Sequence, residues 1–185
     1  MKRTTEGMTK STFQMPKLTE KDIAEYVLER FYELKEVPRM QDLVTFHSNN
    51  KYLIMAHSQV HLKELGNVVA NHEKQPLKKV LNDYQKILIT TLKIKPTVKT
   101  HINALMHIFG FFGKYLSQKE KTIFMQFIKG YREDKIKLGK ILSEIEPITY
   151  KINNLYLISQ TYFLLYSDPN MGNVFNRVSI KSFRD

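Results

Sequence analysis

Apolar residues recur every third or fourth position along nearly the whole chain, the spacing that gathers side chains on one face of a helix. The pattern first settles over EKDIAEYVLERFYELKE. Thr19 stands ahead of it as N-cap with Asp22 as capping-box partner, and Val37-Pro38 closes it because the residue before a proline avoids the helical region. A first helix near 20–36 is expected. A long second helix follows from Met40 to His57, and Ser58 caps a third across QVHLKELGNVVANH, where Gly66 implies close approach of a neighbouring backbone. Pro76 opens a fourth helix, in which Leu77, Val80, Leu81, Tyr84, Leu88 and Leu92 form a stripe opposite Lys78, Lys79, Lys86 and Lys93.

Beyond Pro96 lies the least polar stretch, HINALMHIFGFFGKY, which predicts a buried central helix near 98–116. It nevertheless carries His101, Asn103, His107 and Lys114, and polar groups in a core are costly without partners. Asn103, His107, Gly110 and Lys114 fall at i, i+4, i+7 and i+11, a single line that implies one shared neighbour, inside the protein or arriving from outside. Ser117 and Glu120 form a capping box for the helix holding Ile123, Phe124, Phe127, Ile128 and Tyr131. Ile136 to Ile145 and Asn154 to Tyr166 read as two last helices separated near Pro147. The fold class is all-α: a compact single-domain bundle of about seven or eight helices over 18–167, between a flexible N-terminal tail (1–17) and an irregular C-terminal tail (168–185).

Composition narrows the chemistry. Without cysteine the chain holds no disulfide, thiolate zinc site, cysteine nucleophile or cysteine-ligated iron–sulfur cluster. No run approaches the roughly 18 uninterrupted apolar residues of a membrane span, and the basic start lacks an apolar export core, so a cytoplasmic location and no membrane partner are expected. The net charge is +11, carried by 23 Lys and 6 Arg. Residues 18–73 have a net charge of −3, whereas 74–99 reach +6 with Asp83 as their one acidic residue, which places the positive side in the middle and later helices.

The six histidines have poor spacing for a metal: His57 and His61 lack a carboxylate like that of HExxH, and His101 and His107 point to different sides of their helix. No metal and no cofactor is expected, since Walker and dinucleotide motifs are also missing and the serines after His47 and His57 lack a nucleophile elbow. His47 and Lys51, four apart with Ser48 beside them, make a second polar strip. Packed against the later helix, His47, Lys51, Asn103, His107 and Lys114 would line a groove suited to phosphate and ribose or base edges. Phe111-Phe112 and Phe124/Phe127 sit at core spacing, which leaves Tyr131, Tyr156 and Tyr162 as candidates for stacking on bases.

FHSxxKYLIMAHS at 46–58, LG at 65–66, HxNxLMHxxGFF at 101–112, YR at 131–132 and YLxxQxYF at 156–163 together resemble the YbgA family, a domain of unknown function, over about residues 25–167. Gln59 stands where family members often have proline. The resemblance implies a compact all-helical module, found alone or after a cysteine-rich domain. In two-domain relatives that partner is a thiouracil desulfidase-like iron–sulfur enzyme acting on thiolated uracil, including 4-thiouridine in tRNA, with the helical module holding the tRNA. Here any desulfidase must be separately encoded.

The expected function is a non-catalytic RNA-binding module, with tRNA as partner. Its candidate nucleic-acid-binding residues are His47, Ser48, Lys51, His57, His101, Asn103, His107, Lys114, Tyr131, Arg132 and Gln160. Two alternatives stay open: an enzyme using His101 or His107 as general acid/base on a nucleoside or small molecule, and an interaction module for the separate desulfidase.

Overall fold

The computed structural model describes residues 17–168, which form ten α-helices, one short 3₁₀ turn and no strand among the described residues. The expected tails lie outside the described residues except for Lys17 and Asp168. No helix among the described residues is long and apolar enough to cross a membrane.

Local chemistry sets most boundaries. Helix α1 (Glu20–Glu36) starts at the Thr19–Asp22 capping box and buries Ile23, Val27 and Phe31, one stripe at i, i+4 and i+8. Helices α2 (Met40–Asn49) and α3 (Lys51–His57) replace the single long helix expected over 40–57. The break at Asn50 comes from its side chain, whose amide donates back to the Phe46 carbonyl at 2.8 Å while its oxygen accepts from the Thr161 hydroxyl at 2.7 Å. Helix α4 (Gln59–Ala70) begins at Ser58, whose hydroxyl accepts from the His61 amide, and ends at Asn71 in the left-handed region. Gly66 faces the His47 imidazole rather than a neighbouring backbone: a Cβ there would lie 3.7 Å from Nε2.

Helix α5 (Leu77–Leu92) buries the predicted stripe apart from partly buried Leu77. Helix α6 (Val98–Phe112) starts at Thr97, capped with Thr100, and runs into the 3₁₀ turn Gly113–Tyr115. Helix α7 (Gln118–Arg132) has the Ser117–Glu120 box. Helix α8 (Leu138–Lys151) continues through Pro147, where a break was expected; burial of Ile145 and Thr149 on either side holds it together despite the lost backbone donor. Helices α9 (Leu155–Ile158) and α10 (Thr161–Tyr166) complete the chain.

The innermost helix is α3, with every residue from Tyr52 to His57 buried, packed by α4, α5, α6 and α10. A helix apolar on all sides belongs inside. Helix α6 lies against α3 with one side and shows the other to solvent.

Candidate nucleic-acid interface

The two sides of α6 follow from helical geometry. His101, Ala104, Leu105, Ile108 and Phe112 are spaced three and four apart and are buried. The opposite side carries Lys99, Asn103, Met106, His107, Gly110 and Phe111, and Lys114 follows in the 3₁₀ turn. Asn103 is half-buried and donates to the Gln59 Oε1 at 3.2 Å, which ties α6 to the start of α4. His107, Gly110 and Lys114 are exposed. The Lys114 ammonium sits 4.9 Å from the centre of the Tyr115 ring, a cation–π contact that restrains it. The line read from the sequence therefore opens to solvent.

His101 belongs to the interior. Its Nδ1 shares a 2.9 Å hydrogen bond with the Tyr162 hydroxyl, and its ring meets the edge of Tyr166 at 4.9 Å and half-buried Tyr131 at 6.4 Å. Burial, with His57 and Lys17 nearby, lowers its pKa to about 4. Burial likewise pushes the Tyr131 hydroxyl up to about 12, with Asp134 and Glu20 adding to the effect.

His57 is packed against the same group. Its Nδ1–H donates to the Ile94 carbonyl at 2.6 Å, and Nε2 lies 3.5 Å from the Tyr166 oxygen, whose proton goes to Glu20 Oε2 at 2.8 Å. Burial lowers the His57 pKa, opposed by the Ile94 carbonyl and Glu20. Gln160 is also interior: its amide donates to the Ser48 carbonyl at 2.9 Å and to the Tyr156 carbonyl at 3.1 Å.

His47 turns towards α4 and α5. Its Nδ1 shares a 3.1 Å hydrogen bond with the Tyr84 hydroxyl, and burial followed by the charge of half-buried Lys51 lowers its pKa. The groove expected from His47, Lys51, Asn103, His107 and Lys114 is thus divided, with His47 closing the seam beside α4 and α5 and the last three on the open side of α6. Arg132 is exposed at the end of α7.

Among the aromatic candidates Tyr162 is fully buried and Tyr156 half-buried. Phe111 is exposed, at 41%, although its spacing suggests the core, and Tyr115 beyond the end of α6 is exposed at 57%; Phe112 is at 0%. Phe111 lies about 100° round the helix from Phe112, past the edge of the buried stripe of His101, Ala104, Leu105, Ile108 and Phe112. Phe111 falls on the Asn103–His107–Lys114 side, a signal already present in the sequence.

Charge reinforces this side. Between Asp83 and Glu120 there is no acidic residue. Lys93, Lys95, Lys99, Lys114 and Lys119 are exposed, and the ion pairs among the described residues involve none of them. Among the described residues no group of three or more His, Asp or Glu could hold a metal ion. His107 makes no hydrogen bond to a side chain among the described residues that would orient it as an acid or base.

The family model described as "Protein of unknown function (DUF1722)" matches residues 51–167. The uncharacterized protein YbgA of Escherichia coli (strain K12) is similar at 29% identity over 145 residues, covering 74% of this chain and 86% of that protein. No solved structure matches the chain.

Proposed function

The chain belongs to the DUF1722 family, and we propose that it is a non-catalytic RNA-binding module, with tRNA as its partner and the outer side of α6 as its contact face. The observation that carries this reading is the exposed, carboxylate-free run from the α5–α6 connection along α6: Lys93, Lys95 and Lys99 lead into Asn103, His107 and Lys114 with no acidic residue between them. Unpaired ammonium groups attract phosphate and release counterions, while amide and imidazole groups supply directional hydrogen bonds. Lys51 and Arg132 add salt-dependent attraction. His47, Ser48, His57, His101, Tyr131 and Gln160 serve the reading indirectly by holding the helices that present this face.

The resemblance to the YbgA family adds the link to 4-thiouridine in tRNA. With no cysteine in these 185 residues, the sulfur chemistry would fall to an iron–sulfur desulfidase outside them.

Titration of tRNA at two salt concentrations tests the reading. Binding should exceed that of an unrelated protein of equal net charge. The Lys93→Ala/Lys95→Ala/Lys99→Ala variant should bind more weakly, with the log–log salt slope reduced by about one for each lysine that meets a phosphate. Equal affinity of the triple variant and the native chain would reject the contact face.

A further inference from the structure

We propose that the surface around Gly110 seats one unpaired nucleotide of an RNA strand, with the Phe111 ring as the stacking platform and His107 and Lys114 beside it for the phosphate. This rests on the RNA-binding reading and names the kind of RNA the face takes.

Gly110 supplies the first observation. Glycine inside a helix weakens it relative to alanine, so its presence calls for a neighbour that needs the space. Three of the other described glycines have one. A Cβ at Gly113 would meet the Phe109 ring at 3.3 Å, at Gly130 the Ile136 side chain at 2.6 Å, and at Gly139 the Asp168 backbone at 2.9 Å, whereas at Gly66 it would make ordinary contact with His47 at 3.7 Å. At Gly110 a Cβ would meet nothing within 4 Å. The space left bare is outside the protein, on the solvent side of α6.

Phe111 supplies the second. Its ring leans on Tyr156, with centroids 5.2 Å apart, and on Tyr52 at 6.5 Å, yet it stays 41% exposed. A ring braced from behind loses little freedom when a base stacks on it. His107 lies four residues before Phe111 and Lys114 three after, so both flank the ring on the helix surface. The segment that carries the ring holds no carboxylate between Asp83 and Glu120, and its exposed Lys99 and Lys114 favour an anionic strand. A duplex hides its base faces, whereas a loop or single strand exposes them, and one braced ring beside a bare stretch of backbone fits an exposed base.

Fluorescence anisotropy with a labelled single-stranded RNA, the same sequence as a duplex, and uridine monophosphate as competitor tests the seat in the full chain. Gly110→Ala should raise Tm by about 2–4 °C while weakening single-strand binding several-fold, opposite signs that a purely structural glycine would not give. Phe111→Leu should weaken single-strand binding about tenfold with the salt slope unchanged, because stacking releases no counterions. Both variants should bind duplex as the native chain does. Native-like single-strand binding by both variants, in a protein that binds RNA, would overturn the seat alone. Failure of the native chain to bind any RNA above an equal-charge control would instead remove the RNA reading and the seat with it. Competition by micromolar uridine monophosphate would overturn the assignment to a strand in favour of a free nucleotide.

Discussion

His101 and His107 share one helix and serve opposite ends of the problem. His101 is 6% exposed and its low pKa, near 4 against an ordinary value of about 6.5, keeps the buried imidazole neutral beside Tyr162 and Tyr166. Between these two values the unfolded chain takes up a proton that the folded chain refuses. Stability is therefore complete above about pH 6.5 and falls as the pH drops towards 4, by on the order of 3 kcal/mol for His101 alone, with His57 acting in the same direction. Thermal melts from pH 8 to pH 4 should show a level Tm that declines below about 6.5, and His101→Gln should have a lower Tm at pH 7 but a shallower decline. An undiminished Tm at pH 5 in the native chain would count against the buried neutral pair.

The junction between α2 and α3 is an element whose shape is decided elsewhere. Ser159 donates to the Asn49 side chain at 3.0 Å, Gln160 to the Ser48 carbonyl, and Thr161 to Asn50, so the start of α10 is fastened to the break in the earlier helix. Asn50→Ala would remove two side-chain hydrogen bonds together, leaving the Phe46 carbonyl with the Asn50 backbone N–H at 3.1 Å and the Thr161 hydroxyl with the Asn49 carbonyl at 3.2 Å. A urea titration should show a loss of about 1–3 kcal/mol with the m-value unchanged; a loss within experimental error would mean the break persists without this side chain. This junction also marks what was readable from sequence. The caps at Thr19, Ser58 and Ser117 depend on residues three positions away and could be read directly. The break at Asn50 depends on Thr161, 111 residues distant, and the continuation of α8 through Pro147 depends on tertiary burial, so neither left a local mark.

At the scale of the whole molecule the all-α class followed from periodicity, yet the most enclosed helix did not. Helix α3 is too short, and too uniformly apolar from Tyr52 to Ala56, to display a period, whereas α6 is long enough to show both a buried and an open side. The Asn103–His107–Lys114 line was legible because helical spacing alone sets it. Which histidines lie inside was not, because that depends on tyrosines from α7 and α10. Charge is distributed as unevenly as packing: α1 answers its cations with carboxylates in the pairs Lys21–Glu25 and Arg30–Glu33, while beyond the Lys86–Asp83 pair no carboxylate follows until Glu120. An anionic strand approaching this field is drawn to the α6 side first, and more strongly at low salt. Ultraviolet cross-linking of the tRNA-bound chain, read by peptide mass, tests that placement most directly. Nucleotides attached within 93–115, at Phe111 and His107 above all, are the expected result; attachment confined to the basic stretch 129–140, with 93–115 unmarked, would contradict it.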